Sequence, residues 1–192
     1  LSLVVLVAAI ALLVTIASGL QPVAAPHITW WLAAGLFLLA ECWPAVQVTE
    51  STGSGGAWRF AEVPLALCLL FATPLDTAIG WAISTAILGG GRDWHRLAWN
   101  LAQNTLTVAL AFAVYHALVE SSDLASAQSL AALLLALLCV SVSLPLSLLA
   151  TSAYAGRVDL DSAPRHLAVG LMQTLVDDCI GIIAVILALH SL

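Results

Sequence analysis

Charge is the scarcest property of this 192-residue chain. Only 8% of its residues are charged, and lysine does not occur, so all five of its cationic residues are arginines. A soluble domain carries roughly 25% charged residues, whereas 62% of the residues here are hydrophobic and the mean hydropathy is +1.07. The arginines form no basic cluster able to hold a phosphate backbone. The composition therefore argues against a soluble globular domain and excludes nucleic acid as a partner.

Motifs for metal binding and catalysis are also missing. The four cysteines lie in or beside apolar runs without a CxxC spacing, so neither a zinc site nor a disulfide framework is predicted. The sequence has no HExxH, GxSxG, P-loop or dinucleotide-binding motif. We therefore expect no catalytic residue, no cofactor and no metal site, and we expect that the chain itself is not an enzyme.

Long apolar runs dominate what remains. A spanning helix needs about 20 mainly apolar residues and satisfies its own backbone hydrogen bonds in lipid, whereas the strands of a membrane barrel alternate in segments of about ten residues. The runs here do not alternate, so they predict an all-α polytopic transmembrane bundle of about seven spans, forming one domain over residues 1–192. The predicted spans are Leu1–Ser18, Ile28–Trp43, Phe60–Phe71, Pro74–Gly89, Leu97–Val119, Leu124–Ala150 and His166–His190.

Two prolines affect these spans. Pro74 is expected to occupy the first turn of the fourth helix, where its missing N–H does no harm. Because only two residues separate the third and fourth spans, the pair is predicted to be either a tight hairpin or one broken helix. Pro145 lies inside the sixth span and is expected to kink or divide it.

The arginines predict the orientation. Four of the five lie in the loops at 89–96 and 154–165, and cytoplasmic loops carry the excess of arginine and lysine. Both loops are therefore expected inside, which places the N-terminus inside and His190 outside. An eighth span after residue 192 would return the chain to the cytoplasm, so the chain is expected to be part of a longer protein.

Polar residues inside apolar spans are the candidate functional residues, because an ionised aspartate near the bilayer centre costs about 2.5 to 3.5 kcal/mol on insertion scales. In the seventh span such residues recur every three or four positions and form one stripe, which we expect to face the bundle interior. Because adjacent carboxylates repel each other, at least one of its two aspartates is expected to carry a proton. The stripe is either a proton, cation or ligand site or a set of interhelical hydrogen bonds. Its members are Gly170, Gln173, Thr174, Asp177, Asp178 and Gly181.

A second polar stripe opens the fifth span, where Arg96, Asn100, Gln103, Asn104 and Thr107 follow the same spacing. Its three carboxamides are expected to bind a small ligand or to pair with acids of neighbouring spans. Glu62 follows Arg59 by three residues and is expected to pair with it locally. Glu41 and Asp76 lie near span ends, where a charged side chain can reach water at little cost. The candidate ligand-binding residues are therefore Asn100, Gln103, Asn104, Gln173, Asp177 and Asp178.

The region from Phe60 to Leu118 contains a particular order of short motifs. Glu62-Val63-Pro64-Leu65 opens one span, Pro74 opens the next, an arginine-containing loop follows at 92–96, and Trp99-Asn100-Leu101-Ala102-Gln103 opens another. This order resembles the MASE-type (membrane-associated sensor) domains found at the N-termini of bacterial signalling proteins with GGDEF, EAL or HD-GYP output domains. The resemblance extends over roughly residues 28–190.

The resemblance implies a sensor domain of the bacterial inner membrane, with the lipid bilayer as its surroundings. Such a domain would bind a small ligand or sense the state of the membrane and would regulate an attached cytoplasmic output domain of cyclic di-GMP signalling, or act as a homodimer. An alternative is a transporter component similar to the substrate-binding subunits of vitamin uptake systems, since these also place polar stripes inside apolar helices.

Overall fold

Within its described residues the computed structural model has seven α-helices, which lie where the apolar runs predict them. They are α1 (Ser2–Ala17), α2 (Trp30–Cys42), α3 (Glu62–Phe71), α4 (Pro74–Leu88), α5 (Trp94–Leu118), α6 (Ala127–Tyr154) and α7 (Ala163–Ser191). The structure describes residues 2–18, 20, 22, 24, 27–42, 61–88, 94–119, 126–154 and 163–191. It describes the side chains of all these residues except those at positions 2, 96, 143–154, 163–171, 173 and 174. Over these ranges there is no strand, so the all-α prediction is confirmed.

Helix length bears directly on the predicted topology. In the part of the chain whose side chains are described, one helical segment, Leu97–Leu118 of α5, is long and apolar enough to cross a membrane. Four other apolar helical segments in that part are shorter, namely Leu3–Ala17, Trp30–Cys42, Glu62–Phe71 and Ala127–Val142. Length and composition therefore establish one candidate span rather than seven.

Proline affects the helices in two ways. Pro74 begins α4, as predicted, because its ring suits the first helical position. Helix α6 continues through Pro145 to Tyr154. Pro145 therefore does not divide the helix, which was one of its two expected effects.

Asp76 lies at the N-terminal ends of two helices. In α4 its backbone N–H donates to the hydroxyl of Thr73 (3.0 Å), and that hydroxyl donates to Asp76 Oδ2 (2.6 Å). Its other oxygen accepts a hydrogen bond from the backbone N–H of Trp30, the first residue of α2 (3.2 Å). A carboxylate is favoured there because both helix ends present unpaired N–H groups and positive dipoles. Asp76 therefore joins α2 to α4 while its side chain stays partly exposed.

Helices α2 and α4 pack closely because small residues face each other. A Cβ atom added to Gly80 would lie 2.6 Å from the Cβ of Ala33 and 2.8 Å from both the backbone N of Ala34 and the carbonyl oxygen of Trp30. One residue further along α4, Trp81 stacks on Phe37 with ring centroids 4.6 Å apart. The absence of a side chain at Gly80 thus allows the two backbones to approach.

Helix α3 is the innermost of the described helices. Eight of its ten residues are buried, and it contacts every other helix except α1 within the described part of the chain. Its C-terminal carbonyls are satisfied by the segment that connects α1 to α2, because the N–H of Ala24 donates to Leu70 (3.0 Å) and that of Ile28 to Phe71 (2.7 Å).

The sequence left two alternatives for α3 and α4, a tight hairpin or one broken helix. Ala72 has an extended backbone and ends α3, and the two helices then pack against different neighbours, α3 on α7 and α4 on α2 and α5. Because they share few contacts with each other, the pair is not a tightly packed hairpin.

Candidate functional site: a carboxylate cluster between three helices

The first turn of α3 lies level with the middle of α7. A Cβ atom added to Gly181 of α7 would lie 3.3 Å from the Cβ of Ala66 and 3.4 Å from the carbonyl oxygen of Glu62. Gly181 follows the midpoint of the 29-residue helix α7, whereas α3 has ten residues and extends only about 15 Å. The N-terminus of α3 therefore lies part-way along the bundle rather than at its end.

Three carboxyl groups meet at this level. Glu62 comes from α3, and Asp177 and Asp178 come from α7; we call these three residues the carboxylate cluster. Their exposed fractions are 8%, 1% and 0%, and Glu62 interacts electrostatically with both aspartates. The hydroxyl of Ser141 in α6 donates a hydrogen bond to Asp178 Oδ2 (2.8 Å). The carboxylate cluster thus lies where α3, α6 and α7 pack together.

Each carboxyl group of the cluster keeps one buried oxygen without a hydrogen-bond partner. These atoms are Glu62 Oε2, Asp177 Oδ1 and Asp178 Oδ1. Buried acceptors nearly always find a donor in folded proteins, and a buried charge without a partner is strongly unfavourable. The carboxylate cluster therefore requires hydrogen-bond donors or protons that the described side chains do not supply.

The position of the seventh-span stripe is confirmed where its side chains are described. Asp177 and Asp178 are buried, and so is Gly181 one turn later, because this face of α7 packs on α3 and α6. The side chain of Gln173, together with those of Gly170 and Thr174, lies outside the described set. The inward position is thus confirmed for the two aspartates and lies outside the described side chains for Gln173, and ligand binding by these residues stays a prediction.

The fifth-span stripe is directed toward other neighbours. The side-chain amide of Asn104 lies 2.8 Å from the hydroxyl of Thr85 in α4. With its oxygen toward α4, the amide accepts from Trp81 Nε1 (3.2 Å), whose single N–H is shared with Glu41 of α2 (3.2 Å). Asn104 therefore belongs to a polar bridge between α2, α4 and α5, formed by Glu41, Trp81, Thr85 and Asn104.

The six candidate ligand-binding residues do not form one site in the described structure. Asn100 is exposed and Gln103 is half-buried, and α5 makes no contact with α7 among the described residues. In the described structure the α5 amides therefore do not pair with the acids of the seventh span. Instead, one stripe joins α5 to α4 and the other joins α7 to α3 and α6.

The partners of Glu62 were not predicted from the sequence. We expected a local pair with Arg59, which lies outside the described residues, whereas Glu62 interacts electrostatically with the two aspartates of a helix more than 100 positions away in the chain. One signal was available in the sequence, because Glu62 opens an unbroken apolar run. A carboxylate on such a helix needs a buried polar partner.

The hydrogen bond from Ser141 to Asp178 can be tested with a pair of serines. Replacing Ser141 with alanine should lower the free energy of unfolding by about 1 to 2 kcal/mol, because it leaves a second oxygen of a buried carboxyl group without a donor. Ser84 is also buried, but its hydroxyl has no partner, so Ser84→Ala should be neutral or stabilising. Thermal unfolding in detergent micelles measures both, and equal losses would contradict the assignment.

Comparison with known protein families, curated proteins and solved structures gives no match to this chain.

Proposed function

We propose that this chain is a multi-pass sensor domain of the bacterial inner membrane, of the MASE type, and that the carboxylate cluster is its responsive site. The observation that carries the proposal is the meeting of three buried carboxyl groups, each with an unsatisfied oxygen, at the junction of α3, α6 and α7. Binding at such a junction changes the charge between helices, and a ligand acts by favouring one packing over another.

A membrane location is supported by the apolar outer surface. Large hydrophobic side chains are widely exposed on the outer helices, for example Val4 (70%) and Val7 (60%) of α1 and Leu187 (64%) of α7. Continuous apolar surface of this kind marks contact with lipid or with another protein. Helices α6 and α7, with 28 and 29 residues, extend about 40 Å, which exceeds the hydrocarbon thickness of about 30 Å.

The short helix α3 is compatible with a bilayer because its C-terminal end is covered by another part of the chain. In lipid, irregular backbone is tolerated where protein surrounds it. The C-terminus of α3 meets this condition through hydrogen bonds from Ala24 and Ile28. We accordingly propose seven helices across or within the membrane, with the arginine loops on the cytoplasmic side.

The proposed function is tested in the full-length gene product that contains this chain, with a cyclic di-GMP reporter in bacterial cells. Replacing Asp177 and Asp178 together with asparagine should change the reporter signal by about fivefold or more, the size of a typical coupling between two sites. Expression level and helicity should stay unchanged. The matched control is Glu41→Gln, which neutralises a carboxylate of the polar bridge outside the cluster and should leave the signal at the wild-type level.

Two outcomes of this experiment would refute the sensor proposal. An unchanged signal from a normally expressed double variant would show that the cluster does not communicate with an output domain. Loss of helicity in the double variant would instead assign the aspartates to interhelical hydrogen bonding alone.

A transporter component is the second candidate, and the position of α3 favours it. Transporters often bind their substrates near the bilayer midplane, where a broken helix begins or ends, and α3 begins beside the middle of α7. A component similar to vitamin-uptake subunits would copurify with an ATPase from its native membrane. Copurification without any effect on cyclic di-GMP would favour transport over sensing.

A further inference from the structure

We propose that the ligand of the carboxylate cluster is the proton, and that Glu62, Asp177 and Asp178 hold protons in common as one site. This proposal rests on the function proposed above, because the carboxylate cluster is the responsive site in both. It adds the identity of the ligand that this site binds. In the step proposed, a proton from water is bound by a carboxylate oxygen, which becomes the O–H of a carboxylic acid and loses one negative charge.

The unpartnered oxygens carry the argument. Glu62 Oε2 has no hydrogen-bond partner, and neither do Asp177 Oδ1 and Asp178 Oδ1, although Glu62 interacts electrostatically with both aspartates from a different helix. A carboxylate is an acceptor only, whereas a protonated carboxyl group also donates. A proton on one group therefore turns an acceptor into a donor and at the same time removes one of the mutually repelling charges.

The surroundings favour a proton over a metal ion. Among the described side chains, no group of His, Cys, Asp or Glu has an arrangement suited to a metal. Ser141 contributes a hydroxyl that already donates to Asp178. Among the described side chains, the cluster thus has one oxygen, Asp178 Oδ2, that accepts from this hydroxyl, and it lacks the converging ligands that a cation requires.

The other titratable groups on the helices around the cluster have contacts elsewhere. The electrostatic partners of the three carboxyl groups among the described side chains are these groups themselves. On the packed helices, Glu41 of α2 bonds to Trp81, Asp76 of α4 to Thr73 and Trp30, and Cys68 of α3 to Thr77. The rings of Tyr115 and His116 in α5 contact each other, while Tyr115 Oη and His116 Nε2 are buried without a hydrogen-bond partner. Cys139 of α6 and Cys179 of α7 are exposed.

The packing at Gly181 connects proton binding to a change of structure. The backbones of α3 and α7 are in contact beside Glu62, so repulsion between ionised carboxylates acts directly across this contact. Deprotonation of the cluster is therefore expected to push α3 away from α7, and protonation to close the contact. A helix buried on nearly all sides transmits such a shift to the five helices that it touches.

Infrared spectroscopy of the purified chain in lipid nanodiscs tests the proposal. Protonated carboxyl groups give a carbonyl stretching band that shifts in D₂O, and this band should be present at neutral pH and disappear in alkaline buffer. Glu62→Gln, Asp177→Asn and Asp178→Asn should each weaken the band and shift the titration of the remaining groups, because coupled sites titrate together. Glu41→Gln should leave it unchanged.

Chemical labelling of the wild-type chain provides a second test that does not depend on the variants. A lipid-soluble carbodiimide reacts with protonated carboxyl groups, so mass spectrometry of the labelled wild-type chain should locate the adduct on residues of the cluster, and alkaline pH should prevent labelling. Absence of the infrared band, or labelling confined to other carboxyl groups, would overturn the proposal.

The proton proposal would also be overturned if sodium chloride, but not choline chloride, stabilised the wild-type protein against heat and the cluster variants lost this effect. That result would assign the site to a metal cation. A protonated cluster combined with a cyclic di-GMP signal that ignores Asp177 and Asp178 would refute the sensor function alone.

Discussion

Gly80→Ala is expected to destabilise the protein by about 2 to 3 kcal/mol, at the upper end of the range for an overpacked site. The added methyl group would lie 2.6 to 2.8 Å from three atoms of α2, and two of these belong to the backbone of Trp30 and Ala34. Backbone atoms cannot move aside as a side chain can, so α2 and α4 must separate. Their separation also weakens the stacking of Phe37 on Trp81.

Gly35→Ala is the matched control for this prediction. Gly35 also lies within a helix, but a Cβ atom there has nothing within 4 Å, so alanine should stabilise α2 by roughly 0.5 to 1 kcal/mol through its better helix propensity. The same substitution should therefore change stability in opposite directions at the two glycines. Circular dichroism during thermal unfolding in micelles measures both, and a shift of the same sign would contradict the close packing at Gly80.

Asp76→Ala is expected to lower the free energy of unfolding by about 1 to 2 kcal/mol, the range for losing hydrogen bonds to a charged acceptor at a helix N-terminus. Thr73 still caps α4, because its hydroxyl accepts from the backbone N–H of residue 76. The substitution instead removes the carboxylate to which that hydroxyl donates, and it leaves the N–H of Trp30 at the start of α2 without its charged acceptor. Because α2 and α4 are joined there, the loss should reach both helices. Tryptophan fluorescence should report it, since Trp30 and Trp81 lie on the two helices concerned.

The neighbouring residue provides the control for Asp76. Leu75 is 48% exposed and lies in the same turn of α4, so Leu75→Ala should change stability little in micelles. Asp76→Asn should have an intermediate effect, because the amide retains one acceptor oxygen while losing the charge that favours helix N-termini. Equal stability of the Asp76→Ala and Leu75→Ala variants would show that the hydrogen bonds of Asp76 do not support the fold.

The order and type of the helices could be predicted because they depend on local properties of the sequence. The apolar runs placed all seven, and Pro74 marked the start of α4 correctly. The boundaries were less well defined, as at α7, which begins at Ala163 rather than at His166. The end of a helix depends on which groups cap it, and such contacts often come from distant parts of the chain.

The partners of the polar residues could not be predicted in this way. Periodicity identified the face of α7 that carries Asp177 and Asp178, but it contains no information about which helix covers that face. Glu62 became their neighbour because Gly181 allows α3 to approach. For the same reason periodicity identified Asn104 as part of a polar stripe but not its hydrogen-bond partner, which is Thr85 of α4.

The hydrogen bonds at the C-terminus of α3 impose an order on biosynthesis. The N–H groups of Ala24 and Ile28 donate to Leu70 and Phe71, which leave the ribosome only after α1 and α2 have both been made. Until then the segment between the first two helices lacks these acceptors, and unpaired backbone groups are unfavourable in the lipid interior. In the membrane location proposed above, the first two helices should therefore stay near water or the insertion machinery until α3 arrives, and their final insertion should coincide with that of the third helix.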